Sequence, residues 1–192
     1  MATASRNWGI QPARVYADER ARRAVNADHT SALANKGLVI IDNFLPAEEL
    51  GRLAAELKRV SDAGDGPSGF SDNRQLNTIR TDKVKWMHED DAAAAELPAL
   101  RSTILMLKGV AAALEAASPG TWTLEVPTRC MLSSYSGEGS HYRAHRDSVG
   151  GSFMKDEGGW LADPEQANRE LTAILYLNEG GQCMSLPASN CF

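Results

Sequence analysis

The clearest periodic pattern of apolar residues lies between residues 97 and 117. Its apolar positions recur every three or four residues, at Leu100, Ile104, Leu107, Val110, Ala111, Leu114 and Ala117. This spacing places apolar side chains on one face of an α-helix. A second run with the same period begins near Ala47, just after Pro46, and contains Leu50, Leu53, Ala54 and Leu57. We therefore predict two amphipathic helices, the longer of which packs against the back of a sheet.

Shorter runs predict strands, because they either alternate apolar and polar residues or are wholly apolar and only four to eight residues long. These runs are 38–41, 78–87, 122–126, 129–135 and 171–177. Alternation assigns faces to three of them. Val84 and Trp86 share one face, as do Met131, Ser133 and Tyr135 in the next run and Thr172, Ile174 and Tyr176 in the last.

The N-terminal residues 11–36 are rich in arginine, acidic residues and alanine, a composition that favours helix. Their apolar stripe is thin, through Val15, Ala21 and Val25. We interpret this segment as a peripheral helix with frayed ends, more a solvated mixed-charge segment than a partner-binding helix. The predicted organisation is a helical flank at 1–36 followed by one domain at 37–192.

A segment rich in glycine, serine, aspartate and asparagine occupies residues 61–77 and is predicted to be a mobile surface loop. Phe70 is its one large apolar side chain. Two interpretations stay open, a loop that folds over a bound substrate and an untethered loop.

Composition narrows the classes of function. The chain has 192 residues, 43% of them hydrophobic, and a formal net charge of -5, which argues against a nucleic-acid-binding protein. No apolar stretch reaches the length of a membrane span. The three cysteines, Cys130, Cys183 and Cys191, share no metal-binding or disulfide-framework spacing. We therefore expect reduced thiols and a cytoplasmic or nuclear location.

His145 and Asp147 are the candidate metal ligands. Side chains two residues apart on a strand point the same way, so this imidazole and carboxylate can reach one ion together. They supply two thirds of the two-histidine, one-carboxylate triad that binds non-haem Fe(II). His141 is predicted to be a rim residue instead, because four residues of strand separate it from His145 by roughly 13 Å. A histidine and an aspartate at this spacing are also common as a solvated surface pair.

The residues around this pair carry a resemblance to a known family. The spacing of six residues resembles that of the iron- and 2-oxoglutarate-dependent prolyl 4-hydroxylases, most closely the oxygen-sensing type. These residues are Tyr135, Gly137, Gly139, Tyr142, His145 and Asp147. The run 171–178 resembles that family's next core strand, which ends in Tyr-Leu-Asn, and 80–86 is similar to its Arg-x-Asp-Lys-x-x-Trp element. The resemblance implies an α+β fold, a double-stranded β-helix (jelly-roll) with supporting N-terminal helices.

The resemblance also implies an activity, hydroxylation of proline in a peptide or protein substrate by molecular oxygen. The implied cofactors are Fe(2+), 2-oxoglutarate and L-ascorbate, with His145 and Asp147 as metal ligands and Tyr135 and Tyr176 in the 2-oxoglutarate pocket. For both tyrosines the alternative is a strand aromatic at the rim of a barrel, and Tyr142 is either a pocket wall or a packing residue. Arg80 and Lys83 are interpreted as scaffold.

The sequence departs from the family after Asn178. The family's distal histidine and its 2-oxoglutarate-binding arginine should follow, yet no histidine occurs after His145 and the last residues do not alternate. The expectation is a C-terminally truncated domain with an incomplete barrel. Two functions follow, a dioxygenase of which this chain is a catalytically incomplete form, and a non-catalytic peptide-binding or regulatory protein with the same fold.

Overall fold

A computed structural model describes residues 10–64, 71–72, 80–135, 139–142, 153–154, 160–161 and 171–177. In the first helix, side chains are described only from residue 13 onward. This part of the chain contains five α-helices. They are α1 (Ile10–Ala24), α2 (Ala27–Lys36), α3 (Ala47–Asp62), α4 (Glu89–Ala94) and α5 (Pro98–Ala117). The predicted helices after Pro46 and across 97–117 are confirmed as α3 and α5.

The described strands form two antiparallel sheets. The larger has the order β1 (Ser71–Asp72), β2 (Lys83–Met87) and β3 (Cys130–Ser134), and the smaller pairs β4 (Phe153–Met154) with β5 (Trp160–Leu161). Trp86 lies opposite Met131 and Val84 opposite Ser133. Val84 and Trp86 share one face of their strand and Met131 and Ser133 one face of theirs, as predicted, and the pairing places both sets on the same face of the larger sheet.

The other face of the larger sheet packs against the helices. Met87 is buried in the core and lies opposite Cys130, and both Cys130 and Leu132 pack against the buried cluster. Helix α5 supplies six of the fifteen buried residues of that cluster, more than any other element, with Leu53 and Val60 from α3 beside it. The long helix therefore shares a core with the back of the sheet, as predicted, but packs chiefly against α1.

Helix α1 also belongs to this core, so the predicted peripheral helix is wrong. Ala17, Ala21 and Val25 are 2%, 0% and 3% exposed, whereas Val15, assigned to the apolar stripe, is 58% exposed. The physical reason lies in α5. A Cβ on Gly109 would stand 2.9 Å from an Asp18 carboxylate oxygen and 3.2 Å from the Ala21 Cβ. Small residues on both helices thus allow a close approach that a thin stripe does not reveal.

Three predicted strands are not strands in the structure. Residues 38–41 pair with no described strand, and Leu38 and Ile40 are exposed. Residues 122–126 and 171–177 likewise have no ladder, although alternation still indicates which side chains face inward. Trp122, Leu124, Leu171, Leu175 and Leu177 pack against the core. Apolar alternation determines which side faces the core, but a strand also needs a neighbouring backbone.

A buried ion pair joins α4, α5 and the approach to β3. Lys108 donates to a Glu89 carboxylate oxygen, and its Nζ lies 2.7 Å from the Thr128 carbonyl oxygen. Burial alone would raise the pKa of Glu89, but the hydrogen bond and charge of Lys108 outweigh it and lower the pKa. This pair fixes the chain at Thr128, just before β3 begins at Cys130.

The N-terminus of α5 is capped from a distance. Leu97 provides no side-chain cap and Pro98 has no N–H. The Ala99 and Leu100 N–H groups instead donate to the two carboxylate oxygens of Glu56 in α3, at 3.0 and 2.8 Å. Because Glu56 is only 8% exposed, these bonds form in a largely dry environment and lock α3 to α5.

The described elements are compatible with several mixed α and β architectures, and the jelly-roll stays a prediction. No helix in the described ranges is long and apolar enough to cross a membrane.

Candidate functional site

The four residues predicted to bind the metal and 2-oxoglutarate divide into two pairs. His145 and Asp147 lie outside the described residues, as does Phe70, so their predicted roles stay predictions. Tyr135 and Tyr176 are described, and both are exposed. Within the described ranges, no group of three or more His, Cys, Asp or Glu side chains could hold a metal ion.

A bidentate ion pair lies at the centre of the described site. The Arg80 Nε donates to one Asp82 carboxylate oxygen at 2.7 Å, and Nη2 donates to the other at 2.5 Å. The side chain of Arg80 is 8% exposed and that of Asp82 is 0% exposed. Burial lowers the pKa of Arg80, but the hydrogen bonds and charge of Asp82 outweigh that effect and raise it. The guanidinium is therefore firmly cationic and held in one orientation.

Two further side chains enclose the guanidinium. Its carbon lies 4.1 Å from the centre of the Tyr142 ring, which is cation–π distance. Both Nη atoms lie 3.7 Å from the Met131 sulfur. Since Met131 faces away from the helices, this contact places Arg80 on the face of the sheet that does not pack on the core.

The backbone explains why Arg80 meets Tyr142. Residues 80 and 142 form an isolated antiparallel bridge, and the Thr81 N–H donates to the His141 carbonyl oxygen at 2.8 Å. The Thr81 hydroxyl also accepts from the His141 N–H at 2.8 Å. His141 is exposed, with Nδ1 at 3.0 Å from the Gly139 carbonyl oxygen, and its place at the rim of a barrel stays a prediction.

Tyr135 lies within the electrostatic range of the same pair. Burial raises the pKa of its phenol, the Asp82 carboxylate raises it further, and Arg80 acts in the opposite direction. Tyr176 makes a further contribution that raises the pKa. The net effect is a raised pKa of the Tyr135 phenol, whose O–H can donate to an acceptor.

Tyr135 thus interacts electrostatically with Tyr176 and with Arg80, on which the Tyr142 ring stacks. Trp86 and Met131, which lie opposite each other in the sheet, are also exposed, at 47% and 39%. The result is a partly open face with phenol hydroxyls, apolar side chains and one neutralised arginine. Such a face suits a small ligand with oxygen acceptors and a hydrophobic part.

The interpretation of Arg80 as scaffold fits its buried pair with Asp82, but the sequence did not reveal that pair or the Tyr142 ring stacked on it. The spacing of two between Arg80 and Asp82 was the available signal, because it allows both side chains to point to one side of an extended chain. Lys83 lies opposite Ser134 on the other face of the sheet, and its interpretation as scaffold stays a prediction. No family model, curated protein or solved structure matches the chain.

Proposed function

We propose that this protein is a form of the Fe(II)- and 2-oxoglutarate-dependent dioxygenases that hydroxylate proline in a peptide or protein, in which the sequence supplies neither the family's distal histidine nor its 2-oxoglutarate-binding arginine. The observation that carries the proposal is the electrostatic interaction of Tyr135 with Tyr176 and with the buried arginine-aspartate pair. The family resemblance assigned these two tyrosines to one pocket from their register alone. Their common electrostatic environment supports that assignment.

The donor chemistry of the chain fits the two cofactors. Phenol O–H groups suit the carboxylate oxygens of 2-oxoglutarate, and the imidazole of His145 with the carboxylate of Asp147 suits Fe(II). When bound, these cofactors would supply the oxidising chemistry, with molecular oxygen as co-substrate and L-ascorbate as the implied reductant. The same proposal implies the cytosol or nucleus, where Cys130 would remain a free thiol.

The residues of the chain have defined tasks in this proposal. Tyr135 and Tyr176 bind and orient the 2-oxoacid through their hydroxyls. Trp86 and Met131 offer apolar surface beside it, suited to the aliphatic chain of the cofactor or to a prolyl ring.

Removing one phenol hydroxyl tests the proposal. We expect Tyr135→Phe to weaken 2-oxoglutarate binding about tenfold, because a hydrogen bond to a charged group contributes about 1.5 kcal/mol or more. The measurement is anaerobic calorimetric titration of the Fe(II)-loaded protein with 2-oxoglutarate. Thermal melting of each variant shows whether it is folded.

The matched control is Tyr16→Phe, which removes the hydroxyl of an exposed tyrosine in α1. We expect it to leave the affinity unchanged. Equal affinities for the wild type and both variants would contradict the role of Tyr135. If the folded wild type bound a proline-containing peptide but no 2-oxoglutarate, the result would favour the non-catalytic peptide-binding alternative.

A further inference from the structure

Residues 139–142 are held against residues 80–82 by backbone hydrogen bonds. Residues 80 and 142 form an isolated antiparallel bridge, and the Thr81 N–H donates to the His141 carbonyl oxygen at 2.8 Å. The His141 N–H donates in return to the Thr81 hydroxyl oxygen, also at 2.8 Å. Thr81 therefore satisfies both backbone polar groups of His141.

Stacking on Arg80 holds the same segment at its next residue. The guanidinium carbon lies 4.1 Å from the centre of the Tyr142 ring, and the bidentate bonds to Asp82 fix the plane on which the ring stacks. The side chains of Arg80 and Asp82 are 8% and 0% exposed, so this plane belongs to the buried part of the molecule. Residues 141 and 142 are thus held by two different kinds of contact.

The held segment leads directly to the candidate metal ligands. His145 follows Tyr142 by three residues, and Asp147 follows it by five. Three residues of chain reach about 11 Å at most, so the position of Tyr142 limits where the His145 imidazole can lie. Ligands whose positions are limited before the ion arrives lose less conformational entropy when they bind it. Holding residues 139–142 in place should therefore raise the affinity for metal.

We propose that Arg80, Thr81 and Asp82 are positioning residues of the candidate metal site, and that they raise its affinity for a divalent ion by holding residues 139–142. They act through this segment and are not themselves ligands. The existence of the site rests on the proposed function above. The positioning role adds to that proposal a set of residues whose substitution weakens metal binding without removing a ligand.

Thr81 offers the cleanest variant, because its side chain is exposed and valine has a similar shape. Thr81→Val removes the acceptor of the His141 N–H and keeps the backbone bond from the Thr81 N–H. We expect this variant to bind Zn(II) about fivefold more weakly, the effect of one ordinary hydrogen bond. Thr81→Ser keeps the hydroxyl and should restore the wild-type affinity. The control is Thr123→Val, at another exposed threonine, which should bind as the wild type does.

The measurement is calorimetric titration of the full chain with Zn(II). Other acidic side chains and histidines can bind zinc weakly, so a reference is needed. The variant His145→Ala provides it, and only the binding that this substitution abolishes is assigned to the candidate site. Chemical denaturation of each variant shows whether it is folded.

Removal of the whole ion pair separates positioning from stability. The combined variant Arg80→Met with Asp82→Leu removes the stacking plane of Tyr142 without leaving a buried charge, so it should cost far less stability than Asp82→Ala. We expect its Zn(II) affinity to fall about fivefold or more, since the cation–π contact is lost. A merely structural role for the pair predicts unchanged affinity in a variant that stays folded.

Hydrogen exchange gives a second readout that does not depend on the variants. If the held segment favours metal binding, then bound metal must favour the held segment by the same factor. Saturating Zn(II) should therefore slow exchange of the Thr81 and His141 N–H groups in the wild type. Equal affinities of the wild type and Thr81→Val, or exchange that Zn(II) leaves unchanged, would overturn the positioning role while the metal site stands. If the wild type showed no binding that depends on His145, the proposed function itself would fail, and this inference with it.

Discussion

Replacement of Asp82 by alanine will lower the free energy of unfolding by about 3–5 kcal/mol, the usual cost of removing one partner of a buried ion pair. The Arg80 side chain is 8% exposed and makes both of its short charged hydrogen bonds to Asp82. Without the carboxylate, the guanidinium must either stay buried and unpaired or move out and leave Tyr142 and Met131 uncovered. Both outcomes are costly, so chemical denaturation will show a large shift in midpoint.

The matched control is Asp62→Ala. Asp62 makes a comparably short bond, 2.6 Å to Lys58, but its side chain is 62% exposed and that of Lys58 is 74% exposed. Exposed pairs contribute about 0.5 kcal/mol or less. Equal losses from Asp82→Ala and Asp62→Ala would show that the Arg80 pair is solvated, contrary to the structure.

Replacement of Glu56 by alanine will lower the free energy of unfolding by about 2–4 kcal/mol, because it leaves two helix N–H groups of α5 without acceptors. Ala99 and Leu100 have no alternative cap, since Leu97 provides none. Solvent cannot easily replace the carboxylate at a residue that is 8% exposed. Denaturant unfolding measures the loss.

Two further variants on α3 check the cause. Glu56→Gln keeps one carbonyl oxygen as an acceptor and should lose about half as much stability as Glu56→Ala. Glu48→Ala removes an exposed carboxylate of the same helix, paired only loosely with Arg52 at 3.8 Å, and should have little effect. If Glu48→Ala proved as destabilising as Glu56→Ala, general helix charge and not the cap would explain the loss.

The sequence predicted the helices whose apolar residues recur at a clear helical spacing. Helices α3 and α5 follow directly from apolar residues at helical spacing. Helix α1 was misjudged because its buried positions, Ala17 and Ala21, are small and look weakly apolar. Their burial depends on Gly109 in another helix, so the residues of α1 alone could not predict it. The strands predicted at 38–41 and 122–126 failed for a related reason, since pairing requires a neighbour that a single run cannot specify.

The resemblance selected Tyr135 and Tyr176, which interact electrostatically in the structure, and their role at 2-oxoglutarate stays a prediction. Arg80 and Asp82 were missed, because sequence alone did not reveal that both side chains are buried and that Tyr142 covers the guanidinium. The cap from Glu56 was equally hidden, because its partners lie more than forty residues away.

The most direct test of the proposed function is to follow the tyrosines themselves while 2-oxoglutarate is added. The chain has four tyrosines, so NMR of protein labelled at the tyrosine ζ carbon observes each of them, with Zn(II) as a diamagnetic substitute for Fe(II). The account predicts that the Tyr135 and Tyr176 resonances shift with a common saturation curve while that of Tyr16 stays in place. No shift at Tyr135 and Tyr176, or an equal shift at Tyr16, would contradict it.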